Sequence, residues 1–238
     1  MKTTVYYHIW TPADTDLWKI MVDDQIKRLY VSGLPEVATI KCTINGAQAS
    51  RVKQFVSLYD WINIVDCQDG DGEYEGFCLK HLYEDCVNER AHKVMYFHTK
   101  GMRHFCGVRE HYSDRKVRAV NSWRHLMEWG CIDKWEENVE NLDKYQVSGV
   151  NYCLDPWPHM SGNFWWARAD YLATLDENFL YTEGEHGKID RELMIGTGPK
   201  FDPADMCHVH ADVNMYDTIF TEDNYGHDID WENMKDEL

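Results

Sequence analysis

The sequence predicts a single α/β domain in which helices flank a central, mostly parallel β-sheet. Its 238 residues suit one domain, and a hydrophobic content of 44% is enough for a sizeable core. From residue 5 to residue 97, short β-prone runs alternate with segments of helical periodicity. This alternation is typical of βαβ units, whose parallel strands are joined by crossover helices.

The elements of the first half can be placed in order. A strand is predicted at 5–10 and a helix at 17–30, which the Ser-Gly-Leu-Pro segment at 32–35 ends. The same reasoning predicts strands at 37–44, 61–65 and 93–97, helices at 49–59 and 73–90, and a polar loop at 66–72. Ligands of such sheets bind beyond the carboxyl ends of the strands. The end of the first strand and the loops after the third and fourth strands are therefore the expected binding region.

The second half of the chain has a less regular pattern. It predicts a helical region at 117–143, strands at 145–152 and 162–166, a rigid loop at 155–158, helices at 167–175 and 189–195, and a strand or loop at 209–214. No internal repeat or linker indicates a domain boundary.

The charge distribution bears on the class of partner. A formal net charge of −17 argues against nucleic acid, whose phosphates require a basic surface. Residues 98–124 nevertheless carry seven Lys or Arg against two acidic residues, which indicates a local anion site or a solvated helix. Ten tryptophans and fourteen tyrosines suit a carbohydrate binder, because flat sugar faces stack on aromatic rings, although core packing accounts for most of them.

The predicted compartment is the cytoplasm. The eight cysteines form no C-x-x-C pair, residues 1–10 lack a signal-peptide apolar run, and no stretch approaches the roughly 18 apolar residues of a membrane span. An acidic tail at 226–238 ends in Lys-Asp-Glu-Leu, which matches the endoplasmic-reticulum retention signal. That signal is read only in the lumen, so we expect the match to be coincidental.

The first candidate site is the segment at 96–101, which ends the fourth predicted strand. His98 and Lys100 are two residues apart and face the same side of an extended chain, and Gly101 permits a tight turn. Lys100 could pair with a diphosphate, and His98 could donate a hydrogen bond to a leaving phosphate. The alternative is an ordinary polar strand end.

The loop at 66–72 is the second candidate, because Asp66, Asp69 and Asp71 cluster in it. Carboxylates with this spacing can bind a divalent cation that bridges a diphosphate, or they can hold a ribose hydroxyl or a base. An acidic turn is the alternative, since Asp and Gly are common turn residues.

The third candidate is the segment at 161–167. Asn163 offers an amide to sugar hydroxyls, and Trp165 and Trp166 point to opposite faces of a predicted strand. One indole is expected in the core and the other in a wall on which a sugar stacks, with packing alone as the alternative.

Two later segments carry titratable groups. Asp190 or Glu192, on a predicted helix, could act as general base on an acceptor hydroxyl, or could merely cap the helix. His208 and His210 have a spacing seen in metal ligands, but surface or hydrogen-bonded histidines are the alternative.

Taken together, these segments resemble glycosyltransferases of the GT-A fold, whose sheet is Rossmann-related. The nearest group comprises soluble enzymes of chloroviruses and some bacteria, including chlorovirus enzymes that glycosylate the major capsid protein. The resemblance is carried, in the family's order, by 96–101, Trp123-Arg124, 159–167 and Arg191-Glu192. The match at 161–167 is the most specific of these.

The resemblance implies a hexosyl- or deoxyhexosyltransferase that moves a sugar from a nucleotide-diphosphate sugar, most simply a UDP-sugar, to a hydroxyl of a glycan or glycoprotein. It implies that residues 1–101 bind the donor and that residues 102–225 bind the acceptor. The donor would contact His98, Thr99, Lys100, Gly101, Arg124, Asp66, Asp69 and Asp71. The acceptor and the transferred sugar would contact Ser161, Gly162, Asn163, Trp165 and Trp166.

The chain departs from the family at the end of the fourth strand. Most GT-A enzymes hold Mn²⁺ or Mg²⁺ there with an Asp-x-Asp motif, and this chain has His98-Thr99-Lys100 in that slot. Either Lys100 replaces the charge of the cation, or a metal is held nearby by residues such as Asp69 and Asp71. Direct binding of the phosphates is slightly favoured.

Two other functions use the same residues. One is a non-catalytic carbohydrate-binding protein built on the aromatic side chains. The other is a metal-dependent hydrolase whose ligands would be Asp66, Asp69, Asp71, His208 and His210.

Overall fold

The computed structural model describes residues 2–12, 15–70, 74–106, 114–182, 184–209 and 213–226. The predictions for Asp71, His210 and the tail beyond Gly226 lie outside the described residues. No helix in the described ranges is both long and apolar enough to cross a membrane.

The central sheet has seven strands and is mostly parallel, as predicted. The strands of the described chain are β1 (Lys2–Thr11), β2 (Thr39–Gly46), β3 (Ile62–Asp69), β4 (His92–His98), β5 (Val147–Gly149), β6 (Tyr152–Cys153), β7 (His159–Met160), β8 (Trp165–Arg168) and β9 (Pro203–Asp205). The order in the main sheet is β3-β2-β1-β4-β8-β5-β9, and β6 and β7 form a separate antiparallel pair. Within the main sheet β8 runs antiparallel to both of its neighbours, whereas the other pairs are parallel.

Helices cover both faces of this sheet. They are α1 (Trp18–Val31), α2 (Leu34–Val37), α3 (Ala49–Val56), α4 (Gly76–Asn88), α5 (Met102–Phe105), α6 (Asp114–Glu128), α7 (Trp135–Asn141), α8 (Ala169–Leu172), α9 (Asn178–Tyr181) and α10 (Gly184–Leu193). One core joins α1, α3 and α6, as shown by Ile26, Val52 and Leu126. A second core joins α4 and α8 through Leu82 and Leu172. Because helices cover both faces of the sheet at β4, all seven residues of this strand are buried.

The chain reverses its direction of winding between β1 and β4. From β1 it proceeds outward to β2 and β3, with α1 and α3 in one core. It then returns through α4, in the other core, to place β4 on the opposite side of β1. The carboxyl ends of β1 and β4, where His8 and His98 are register partners, thus border a topological switch point.

The structure corrects several predicted elements. The predicted loop at 66–72 begins as strand, because β3 continues to Asp69 beside β2. The helical region at 117–143 consists of α6, a π-helical segment (Trp129–Asp133) and α7. The late strand is β9, and the described residues between 209 and 214 belong to no regular element.

The strand predicted at 162–166 begins only at Trp165, because a turn precedes it. Gly162 and Asn163 have φ values of 90° and 60°, in the left-handed region that favours Gly and tolerates Asn. A Cβ on Gly162 would lie 2.3 Å from Met127 Sδ and 3.0 Å from the Trp123 ring. The turn therefore passes directly against α6.

The first prediction concerns this turn. Gly162→Ala should reduce the free energy of unfolding by more than about 2 kcal/mol, because left-handed strain and the overlap with Met127 add. The matched control is Gly33→Ala, which has φ 76° but nothing within 4 Å of the added Cβ. Urea denaturation measures both, and equal losses in the two variants would show that the contact with α6 is unimportant.

Candidate functional site

A cavity of about 310 Å³ opens at the carboxyl ends of β1 and β4. It lies at the switch point, in the region that the sequence predicts for ligand binding. Its lining residues are His8, Trp10, Tyr74, Glu75, His98, Thr99, Lys100, Gly101, Met102, Arg103, His104, Val120, Ile189, Arg191, Glu192 and Tyr216.

Strand β1 contributes a histidine with an unused ring nitrogen. His8 is 1% exposed, and its Nδ1 lies 3.0 Å from Thr43 Oγ1. Its Nε2 is buried and has no hydrogen-bond partner in the described part of the chain. Burial, with a smaller contribution from His98, lowers the pKa of His8 to about 3, so the imidazole is neutral.

The end of β4 is tied to the end of β1 by Thr99. Its hydroxyl accepts a hydrogen bond from Trp10 N–H and donates one to Trp10 O, and its own N–H donates to His8 O. Gly101 has φ 81°, which lets the chain turn into α5, and a Cβ there would lie 2.6 Å from Val120 Cγ1. These hydrogen bonds and the turn at Gly101 place Lys100 in the lining of the cavity.

Lys100 is one of the cations that line the cavity. Its Nζ lies 4.4 Å from the centroid of the Trp123 ring, a cation–π contact. Burial lowers the pKa of Lys100, but the attraction of Glu192, Tyr216 and Glu75 outweighs burial, so its pKa lies above the ordinary value. The ammonium is therefore charged at neutral pH.

Glu192, on α10, is the ionised carboxylate of the cavity. Gly162 N–H donates to its Oε1 over 2.6 Å. Burial raises the pKa of Glu192, but Lys100 and the Gly162 N–H together outweigh burial and hold the pKa below its ordinary range.

Glu75, one residue before α4, is a second carboxylate and was missed by the sequence analysis. Its Oε2 accepts a hydrogen bond from Asn163 Nδ2 over 2.5 Å, and its Oε1 lies 3.2 Å from His98 Nδ1. Burial raises the pKa of Glu75 to about 7; Lys100 opposes this and Glu192 reinforces it. The only signal in the sequence was a carboxylate shortly after the loop that follows the third strand.

Two aromatic rings and a guanidinium form one end of the lining. The ring centroids of Trp10 and Tyr74 are 6.1 Å apart, and Arg103 lies 5.4 Å and 5.6 Å from them. Arg103 also donates to the Tyr74 hydroxyl over 3.2 Å. A third cation, Arg191, is 5% exposed and donates to Thr182 O.

The structure brings five of the predicted site residues to the cavity, namely His98, Thr99, Lys100, Gly101 and Glu192. Asp190 lies on the same helix as Glu192 but is not part of the lining. Gly162 contributes its backbone, since its carbonyl faces His98 Nε2 at 3.1 Å and its N–H binds Glu192.

The predicted sugar-stacking wall is corrected. Trp166 is fully buried in one core and donates to Cys131 O, whereas Trp165 is 3% exposed in the other core. Asn163 does not face the cavity either, because its amide bridges Trp165 Nε1 and Glu75. Ser161 also lies outside the lining, and its N–H donates to Asn151 O. The side chains of this segment therefore pack behind the cavity lining and do not form part of it.

The assignment of Arg124 to the donor is also corrected. Arg124 is 3% exposed and donates to Glu128 Oε1 over 2.6 Å on the same helix. Gln25 donates to that same oxygen, accepts from the Tyr7 hydroxyl, and donates to His98 O. Arg124 therefore belongs to a buried network behind the end of β4.

Of the residues proposed for a metal site, those that the structure describes are not brought together. Asp66 binds the His81 ring, and Asp69 lies near Ser50, both on β3 at one edge of the sheet. His208 binds Asp205 of β9 at the opposite edge, roughly 25–30 Å away at the usual strand spacing.

One group of three side chains among the described residues has ligand atoms close enough for a metal, namely Asp24, His125 and Glu128. The guanidinium of Arg124 already contacts Asp24 and Glu128. These carboxylates are therefore neutralised by a cation of the protein itself.

Comparisons with known proteins identify a family. A family model described as a domain of unknown function (DUF8361) matches residues 6–222. No curated protein matches the sequence. Among solved structures, the crystal structure of 4-diphosphocytidyl-2C-methyl-D-erythritol synthase matches with 7% identity and a TM-score of 0.41, over 93% of this chain and 94% of that one. Nothing about the activity of this chain follows from a likeness at this level.

The second prediction concerns the pH dependence of stability. Because the pKa of Glu75 is raised from 4.5 to about 7 on folding, its contribution is most favourable below pH 4.5 and is lost as the pH rises through about 7. Relative to Glu75→Gln, the wild-type protein should lose up to about 3 kcal/mol of unfolding free energy across this range. Urea denaturation at a series of pH values measures the difference, and parallel curves would contradict the raised pKa.

Proposed function

This chain belongs to the DUF8361 family, and from the chemistry of its cavity we propose that it is a glycosyltransferase. It would move a sugar from a nucleotide-diphosphate sugar to a hydroxyl of a glycan or glycoprotein. The observation that carries this proposal is the combination, at the switch point of the sheet, of three cations with an ionised carboxylate. The family resemblance of 96–101 and 159–167 supports the same reaction.

The cations suit a diphosphate. Lys100, Arg103 and Arg191 line the cavity, and Lys100 is kept charged by its neighbours. Phosphate oxygens accept strong, charge-assisted hydrogen bonds from such groups. As the bond from the sugar to the phosphate breaks, negative charge grows on the phosphate, and cations already in place stabilise that charge.

The aromatic end of the cavity suits a nucleobase. Trp10 and Tyr74 offer ring faces at the end of β1 and before α4, and Arg103 lies against both. A flat nucleobase stacked on either ring would lie in the same cavity as the three cations. The predicted donor is a UDP-sugar.

Glu192 suits the role of general base. It is ionised, lines the cavity and is held by the Gly162 N–H through one oxygen. The carboxylate can accept the proton of an acceptor hydroxyl as that oxygen attacks the anomeric carbon. Asp190, the other predicted base, lies outside the lining.

A divalent cation does not fit the end of β4. The residues there are His98, Thr99 and Lys100, of which Thr99 is occupied by the Trp10 backbone and Lys100 is itself a cation. Mn²⁺ and Mg²⁺ prefer oxygen ligands, and a lysine ammonium repels them. In the proposed reaction Lys100 and its neighbours therefore neutralise the charge of the phosphates.

The two other functions gain less support. The side chains proposed for a hydrolytic metal site, where described, lie at opposite edges of the sheet. A protein that only bound carbohydrate would have no use for three cations and an ionised carboxylate in one cavity, and it would not bind nucleoside diphosphates.

The third prediction tests the phosphate site. Lys100→Ala should weaken binding of UDP, GDP or TDP by roughly 10- to 150-fold, because a charged hydrogen bond to phosphate is lost. Lys27→Ala is the control, since that lysine is 71% exposed and pairs with Asp23. Titration calorimetry measures the affinities, and unchanged binding by Lys100→Ala would remove its assigned role.

The fourth prediction tests the base. Glu192→Gln keeps an oxygen for the Gly162 N–H but cannot accept a proton, so kcat should fall by roughly 10²- to 10⁴-fold while nucleotide binding is retained. Release of nucleoside diphosphate from a UDP-sugar, assayed with a panel of saccharide acceptors, measures the rate. Asp190→Asn should behave like the wild type. The assignment would be reversed if Asp190→Asn were inactive and Glu192→Gln active.

A further inference from the structure

The two carboxylates of the cavity have different hydrogen-bond environments. Glu192 is bound by a backbone N–H and lies near Lys100. Glu75 instead faces a histidine ring nitrogen. When the surroundings of two carboxylates give them different pKa values, one can act as a base and the other as an acid.

The hydrogen bonds of His98 determine where its proton lies. His98 Nε2 lies 3.1 Å from Gly162 O, and a carbonyl can only accept, so Nε2 carries a hydrogen. In a neutral imidazole Nδ1 then has a lone pair, and this atom lies 3.2 Å from Glu75 Oε1. Two acceptor atoms repel each other at this distance, and a proton on either atom removes the repulsion.

Burial decides which atom holds that proton. His98 is 7% exposed, and burial, followed by the charge of Lys100, lowers its pKa to about 3. The proton therefore resides on Glu75 Oε1 while the pH stays below the Glu75 pKa of about 7, and Asn163 Nδ2 donates to the other oxygen. The charged and titratable groups that face Glu75 are Cys78, Tyr96, His98, Lys100, Arg191 and Glu192.

We propose that Glu75 and His98 form a proton-sharing pair that supplies the acid of the reaction. This proposal rests on the proposed glycosyl transfer. As the bond between the anomeric carbon and the phosphate oxygen breaks, its electron pair goes to that oxygen, which receives the proton of Glu75 Oε1. The acceptor oxygen bonds to the anomeric carbon and gives its proton to Glu192. Release of that proton to solvent and reprotonation of Glu75 restore the starting state.

Glu75 can donate its proton to a bound ligand because it lines the cavity. Glu75 lines the cavity together with Tyr74, Lys100 and Glu192. Its side chain is 26% exposed, enough to reach a ligand in the cavity. The leaving phosphate next to Lys100 would be within the region that Glu75 lines.

The first test needs no substrate. In wild-type protein, the ¹³C shift of the Glu75 carboxyl should titrate near pH 7, and ¹⁵N spectra should show neutral His98 with hydrogen on Nε2. A Glu75 titration near 4.5 with an imidazolium at His98 would overturn the pair. Because no substitution is involved, this result does not depend on a variant that folds.

The second test uses Glu75→Gln. The amide donates to His98 Nδ1 and accepts from Asn163, as the protonated acid does, but it has no proton to give. We expect kcat to fall by roughly 10²- to 10⁴-fold with nucleotide binding unchanged, and we expect wild-type kcat to decline above a pH of about 7. The matched control is Glu84→Gln, an exposed position on α4.

The outcomes separate the proposals. Wild-type kcat in Glu75→Gln, with the alkaline decline abolished, would show that Glu75 only positions its neighbours and would overturn the acid role. A wild-type protein that binds none of UDP, GDP and TDP would overturn the proposed function and with it the acid role. The proton shared with His98, measured in the first test, would still stand in that case.

Discussion

The turn at Gly162 and Asn163 holds the three titratable groups on which the cavity depends. Its carbonyl lies opposite the His98 ring, its N–H binds Glu192, and the Asn163 amide binds Glu75. These contacts require a left-handed backbone that passes within van der Waals distance of α6, which glycine permits at no steric cost. One short turn therefore sets the orientation of both carboxylates and the tautomer of the histidine.

Burial and one backbone hydrogen bond separate the pKa values of the two carboxylates. Lys100 lowers the pKa of both, but Glu192 also receives the Gly162 N–H and so is ionised, whereas burial dominates at Glu75 and raises its pKa to about 7. Two ionised carboxylates near each other would repel, which reinforces the separation. The cavity can thus hold an acid and a base at the same pH.

Buried hydrogen bonds fix the residues that pack behind these groups. Gln25 joins the Tyr7 hydroxyl, the His98 carbonyl and Glu128, and Arg124 neutralises the buried Glu128. Thr99 closes the gap between β1 and β4 with hydrogen bonds to the Trp10 backbone. A site held by strands and buried networks needs little reorganisation when a ligand binds.

The sequence by itself determined the α/β architecture and indicated the segment 98–101, which lines the cavity, because strand periodicity, helical spacing and a glycine turn are local properties. Only the tertiary structure decided that Glu75 faces His98, that both Trp165 and Trp166 are covered, and that Arg124 is matched by Glu128 on its own helix. It also placed Asp69 and the neighbours of His208 at opposite edges of the sheet. The physical reason is that burial and pairing depend on which helices and strands pack together from distant parts of the chain, and a local pattern does not contain that information.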